Sequence, residues 1–235
     1  MLEEAFKTGR LLLPEFSSGA AENVAAAPLP WTQISLTLLF VLLFLLFLRN
    51  FLYILPSISD SIFRARGSQA LESSVRVSRD RNIIALIFII PLVLLVQRYR
   101  LYAPDFLQPL SPDAQVGAVA GVVVLFLAVR ALLHLWLKPR RRSDNYMMAY
   151  RAGHTFFILL MLVALPKVGI LYMFHAGDLT FRTCIYVESA VIYGLYLLRK
   201  VQILSLSCSS LTTFLYLCAL ELLPAALLVT SAVIL

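Results

Sequence analysis

Six ionisable side chains stand inside stretches that are otherwise oil-like: Arg130, His134, Arg151, His154, Glu188 and Glu221. A charge in hydrocarbon costs roughly 2.5–3.5 kcal/mol on insertion scales, so each one needs a partner or a purpose. Arg130 and His134 are four residues apart and Arg151 and His154 three apart, spacings that put each pair on one helix face. A carboxylate near the membrane midplane stays ionised only beside a cation such as Arg130; otherwise it takes up a proton. The six are expected to form one buried polar cluster, suited to binding an ion, relaying a proton or holding helices together. Plainer roles exist for each. Arg130 and Arg151 stand near enough to a membrane surface to snorkel. His134 and His154 can hydrogen-bond neighbouring helices, and their depths differ by about four residues, which argues against the pair bracketing a haem.

Signature motifs are missing. There is no Walker A, no G-x-S-x-G, no H-E-x-x-H and no D-D-x-x-D in the 235 residues. No catalytic residue and no metal ligand is therefore assigned, and no cofactor is expected.

The elements that must position these groups are membrane helices. The chain is 60% hydrophobic and 14% charged, with a mean hydropathy of +0.86. A water-facing surface does not tolerate that composition, whereas lipid-facing positions require it. Six spans are expected, at 31–48, 82–97, 116–137, 147–174, 183–198 and 207–235. Residues 51–55 extend the first along the interface. Residues 1–30 form an extracytoplasmic segment, and 56–81 a basic cytoplasmic loop with an interfacial helix. Pro91 should kink the second span. Gly117 and Gly121 form a G-x-x-x-G, a spacing that permits close helix approach. The turn Lys138-Pro139-Arg140-Arg141-Arg142 makes the third and fourth spans antiparallel neighbours, which brings Arg130, His134, Arg151 and His154 into the cytoplasmic half of one hairpin. Glu188 and Glu221 lie deeper, about 15–20 Å from the cytoplasmic ends of their helices at helical rise.

The net charge of +7 sits in loops beside apolar segments. That pattern fits positive-inside topology and anionic headgroups at the cytoplasmic face rather than nucleic acid. With the N-terminus outside, 13 of the 20 cations fall on the inner side, which leaves both termini extracytoplasmic. Cys184, Cys208 and Cys218 form no paired motif and read as small hydrophobes. The acidic N-terminus lacks the layout of a cleaved signal, so the first span is the expected insertion signal. The fold class is all-α, a polytopic transmembrane bundle, and no internal repeat supports an inverted-repeat transporter.

The most distinctive run is Phe214-Leu215-Tyr216-Leu217-Cys218-Ala219-Leu220-Glu221-Leu222-Leu223-Pro224. It resembles the end of the bacterial integral membrane proteins grouped as domain-of-unknown-function family 4271, which close on a similar L-Y-x-C-x-L-E-x-x-P span. The basic turn, Leu165-Pro166 and the Arg199-Lys200 stop extend the likeness across residues 31–235. The resemblance implies a multi-pass protein of the inner membrane of a diderm bacterium, with Tyr216, Cys218, Glu221 and Pro224 as motif positions and no catalytic residues to carry over. Pro224 leaves the carbonyl of Leu220 without its helical partner, and Glu221 lies beside that weakened turn.

Three functions compete. The missing motifs and small loops favour a non-enzymatic membrane subunit or assembly factor with a membrane-protein partner. The buried cluster favours a small transporter or lipid-handling protein. Arg130, Arg151 and the basic turn would suit a membrane enzyme acting on a lipid phosphate.

Overall fold

A computed structural model of the chain describes residues 30–63, 74–102, 104, 107, 109–136, 144–175, 177–205 and 210–234. The expectations for the 1–29 segment, for 64–73, for the basic turn at 138–143 and for Cys208 lie outside the described residues. Those described are helical with no strand, in the order α1 (Trp31–Phe63), α2 (Val75–Ile87), α3 (Ile89–Arg98), α4 (Pro112–Trp136), α5 (Asp144–Met173), α6 (Asp178–Ser205), α7 (Ser210–Leu217), a π-helical turn (Cys218–Leu222) and α8 (Leu223–Ile234). Six stretches are long and apolar enough to cross a membrane: α1, α2 with α3, α4, α5, α6, and α7 through α8. The chain is an all-α, multi-pass membrane bundle.

Several boundaries differ from the sequence reading, and the fifth span is longer at both ends, Asp178–Ser205 rather than 183–198. The first helix does not stop near residue 55 but continues through Pro56 to Phe63. The second span begins at Val75, not at 82, capped by the Ser74 side chain. The basic stretch at 74–81 is therefore helix rather than loop, and Arg81 is only 1% exposed. A cation-rich segment reads as solvated loop, yet Arg81 is buried on the same helix face as Val77, Ile84 and Ala85.

Pro91 acts as its chemistry requires. It cannot donate to Ile87, and the helix breaks at Phe88 (φ −71°, ψ −7°) between α2 and α3. Phe88 is 2% exposed and sits among Phe40, Phe44 and Phe51 of α1, with ring centroids 6.0–6.2 Å away. Ile54, Ile58, Ile158 and Met161 complete this core where α1, α2 and α5 meet. At the far end, Thr32 donates to Asp113 (2.6 Å) and Gln33 to Gln97, tying α1 to α4 and α3.

The third and fourth spans are not closely packed neighbours. α5 packs chiefly on α6 and α2, while α4 packs on α3, α1 and the last span. Among the described residues α4 and α5 approach through side chains toward one end, where the His134 and Tyr150 rings meet edge-on at 4.3 Å and Arg130 lies against Gly153. The G-x-x-x-G is not a contact either: a methyl added at Gly117 or Gly121 would meet nothing within 4 Å.

Replacing Phe88 by Ala should lower stability by about 3–5 kcal/mol, the usual cost of removing a buried ring, read as earlier thermal unfolding in detergent. An unchanged melting profile would show that the broken helix is not anchored there.

Candidate functional site

The last span is interrupted at Cys218–Leu222 by a π-helical turn, in which the Leu223 N–H reaches back to the Cys218 carbonyl. Pro224, one residue further on, cannot donate to Leu220, and a wider turn accommodates that loss. The turn presents Glu221, 4% exposed, to the bundle interior, while the Tyr193 hydroxyl donates to its backbone carbonyl at 3.1 Å.

Two cations converge on one oxygen of that carboxylate. Arg130 Nη2 donates to Glu221 Oε1 at 3.0 Å, and Lys200 Nζ donates to the same atom. Tyr196 closes the figure, its hydroxyl accepting from Arg130 Nη2 at 2.7 Å and from Lys200 Nζ at 3.3 Å. Lys200 Nζ also lies over the rings of Tyr196 (5.6 Å) and Tyr216 (5.7 Å), where the π face of each ring attracts a cation. The Tyr216 hydroxyl in turn meets His134 Nδ1 at 3.2 Å. This knot joins α4, α6 and the last span.

The approach of Arg130 depends on Gly153. An ideal Cβ at Gly153 would stand 2.9 Å from Arg130 Nη2 and 3.6 Å from Cζ, so the guanidinium lies against the bare backbone of α5.

The expected single cluster resolves into three hydrogen-bonded groups, the first two bridged by the Tyr150 ring, 4.3 Å from that of His134 and 6.2 Å from that of His154. Arg130 and Glu221 come together, with His134 beside them through Tyr216. Arg151 and His154 instead face α2, which the earlier start of the second span brings alongside. Arg151 Nη1 donates to Ser78 at 3.3 Å, His154 Nδ1 meets Asn82 Oδ1 at 2.9 Å, and Arg81 Nη2 reaches both Ser78 and Asn82. Glu188 pairs with Lys167 across α6 and α5 at 2.8 Å, and its Oε1 is buried without a hydrogen-bond partner among the described residues. Twelve residues, about 18 Å at helical rise, separate Glu188 from Lys200 on the same helix.

Lys200 is the functional residue the sequence reading missed. Beside Arg199 it has the look of a stop signal, yet α6 continues to Ser205 and leaves Lys200 0% exposed inside the span. The buried residues of α6 are Phe181, Ile185, Glu188, Ile192, Tyr196, Lys200, Ile203 and Leu204. Their three- and four-residue spacing was available as a signal. Of the motif positions, Glu221 is in the knot, Tyr216 borders it, Cys218 accepts the π-turn hydrogen bond, and Pro224 is buried next to that turn.

Beside the knot is an elongated cavity of about 1010 Å³. Three helical stripes wall it: Val119, Val122, Val123, Phe126, Leu127, Arg130 and Ala131 of α4; Tyr150, Gly153, His154, Phe157, Leu160, Met161 and Ala164 of α5; and Asn82, Ala85, Leu86, Ile89, Leu92 and Val96 of the second span. Polar groups gather at one end, where Asn82, Arg130, Tyr150 and His154 stand. Arg100, Tyr102, Tyr186 and Leu228 bound the other. The α4 stripe spans twelve residues, about 18 Å at helical rise.

Glu221→Gln should destabilise the protein by about 3–5 kcal/mol, because it strands two buried cations. The double variant Glu221→Gln with Lys200→Met should recover part of that loss, while Arg199→Gln should stay within about 0.5 kcal/mol of the parent. Thermal unfolding in detergent measures all three. A double variant no better than Glu221→Gln alone would sink the pairing.

Compared with known proteins, the chain matches no family model, no curated protein and no solved structure.

Proposed function

We propose that this multi-pass membrane protein handles lipid, holding the hydrocarbon part of one membrane amphiphile in the cavity between its third and fourth spans. The observation that carries this reading is the cavity: about 1010 Å³, walled by Val, Leu, Ile, Phe, Met and Ala, with polar groups confined mainly to its two ends. That distribution matches a molecule with a long apolar body and a polar head. A volume of this size falls at the upper end of ordinary ligand pockets. In a bilayer, such a space has hydrocarbon as its natural occupant, since water there would find few partners.

The setting we propose is the inner membrane of a diderm bacterium, as the likeness to family 4271 implies. Both termini are then extracytoplasmic, and the end of the cavity at Arg130 faces the cytoplasm. The positive-inside bias supports that orientation.

A second reading, the membrane subunit or assembly factor, is favoured by one specific feature. The Glu221 knot and the Lys167–Glu188 pair each join different helices. Buried ionic groups used in this way fix a scaffold. Cross-linking of the native protein in its own membrane, followed by identification of what it touches, separates the two readings.

Val123 lines the middle of the α4 stripe. Val123→Trp should fill the cavity and reduce the lipid that co-purifies with the full chain to less than about a third of the parent amount, counted by mass spectrometry of organic extracts. Melting temperature serves as the control for folding. Undiminished lipid in a folded Val123→Trp protein would remove the cavity as the binding place.

A further inference from the structure

An arginine stands at each end of the cavity, Arg130 at one and Arg100 at the other, and only Arg130 is built into a buried ionic knot among the described residues. At the knot, Glu221 Oε1 receives both Arg130 and Lys200, so two cations share one carboxylate and one positive charge is left uncompensated. A buried charge without its counter-charge is costly, and an anion brought to it removes that cost. Of the two cations, Lys200 is sealed away at 0% exposure, whereas the Arg130 side chain is 22% exposed and lines the cavity.

Arg130 also has donors to offer. Both of its hydrogen bonds leave from Nη2 and none from Nη1 among the described residues, while Nε is buried out of reach. A guanidinium presents five N–H donors in a fixed fork that matches the oxygens of a phosphate. Across the same end of the cavity stand Tyr150, His154 and Asn82, whose Oδ1 is taken by His154 and Arg81. The amide hydrogens of Asn82 Nδ2 are engaged by none of these bonds. Hydrocarbon-lined walls begin within one turn on each helix, at Leu127 on α4, Phe157 on α5 and Leu86 on α2.

We infer that this end of the cavity is a headgroup site for a net-anionic phospholipid, its phosphate against Arg130 and an acyl chain running between α4 and α5. The inference rests on the lipid-handling reading and adds to it the chemical class of the head. Charge complementarity selects the occupant. A zwitterionic lipid also brings a phosphate, but its own ammonium cancels the charge that the knot lacks.

The test uses native mass spectrometry of the full chain in mild detergent, offered equimolar phosphatidylglycerol and phosphatidylcholine of the same acyl length. The parent protein should retain phosphatidylglycerol over phosphatidylcholine by about tenfold, equivalent to ~1.4 kcal/mol. Arg130→Gln should bring the ratio close to one while total lipid retained stays within about twofold. Val123→Trp should lose the preferred phosphatidylglycerol. Equal retention of both lipids by the parent, with both lost in Val123→Trp, overturns the anionic head and leaves lipid handling standing. A preference that persists in Val123→Trp puts the anionic lipid elsewhere on the surface and overturns both. Should Arg130→Gln fail to fold, the parent ratio and its fate in Val123→Trp still decide the matter.

Discussion

Glu221 is the counter-charge on which the arrangement of half the bundle depends. Its carboxylate lies in a span that has no other acid, and it holds Lys200 of α6 and Arg130 of α4 on one oxygen. In water such contacts would be screened and worth little. In a low-dielectric interior they are strong, and separating them leaves charges that cannot be hydrated. Three spans are thus held by a contact that cannot slide, because moving any of them by one turn would take its charged group about 5.4 Å from the others. Packing between apolar helices in lipid offers no comparable selectivity, since side chains of similar shape can replace one another in the contact.

That constraint explains why α4 does not lie along α5. The two are consecutive, and a short connection ordinarily makes antiparallel neighbours of such helices. Here α4 packs on α3, α1 and the last span and reaches α6 through the Arg130 side chain, while α5 is occupied by its long contact with α6 and by α2. Consecutive helices with different partners must splay, and the cavity is the space that results. At the far end two neutral hydrogen bonds are made, Tyr102 with Ser231 at 3.2 Å and Tyr186 with the Leu101 carbonyl at 3.0 Å. Arg100 stands beside those contacts, so each end of the cavity carries an arginine, and what distinguishes the Arg130 end is the knot.

The spans and their number were readable in the sequence because runs that long and that oil-like are at home in a bilayer. The break before Pro91 was readable for an equally local reason, the missing N–H. What could not be read was which helix each polar group addresses. Arg151 and His154 have the right spacing to share a face with one another, but nothing local says that the face turns to Ser78 and Asn82. Lys200 is the instructive case. Beside Arg199, at the end of an apolar run, it has the form of a topology signal, and hydropathy ends the span just before it. Only the buried stripe through Ile192 and Tyr196 assigns it to the interior, and that stripe is invisible to a method that counts charge without phase.

The glycines make the same point in reverse. Gly117 and Gly121 have the spacing associated with helix contacts, yet both face open space. Gly153 belongs to no motif, yet among the described glycines it is the one whose missing side chain is used, because the Arg130 guanidinium occupies the place a Cβ would take. A small residue in a membrane helix can thus serve an incoming side chain as well as an incoming backbone. In this case it does two things at once. It lets Arg130 reach past α5 to Tyr196 and Glu221, and it keeps the edge of the guanidinium beside the cavity rather than sealed behind a side chain. The same absent methyl group permits the knot and leaves its surplus charge within reach of whatever enters between α4 and α5.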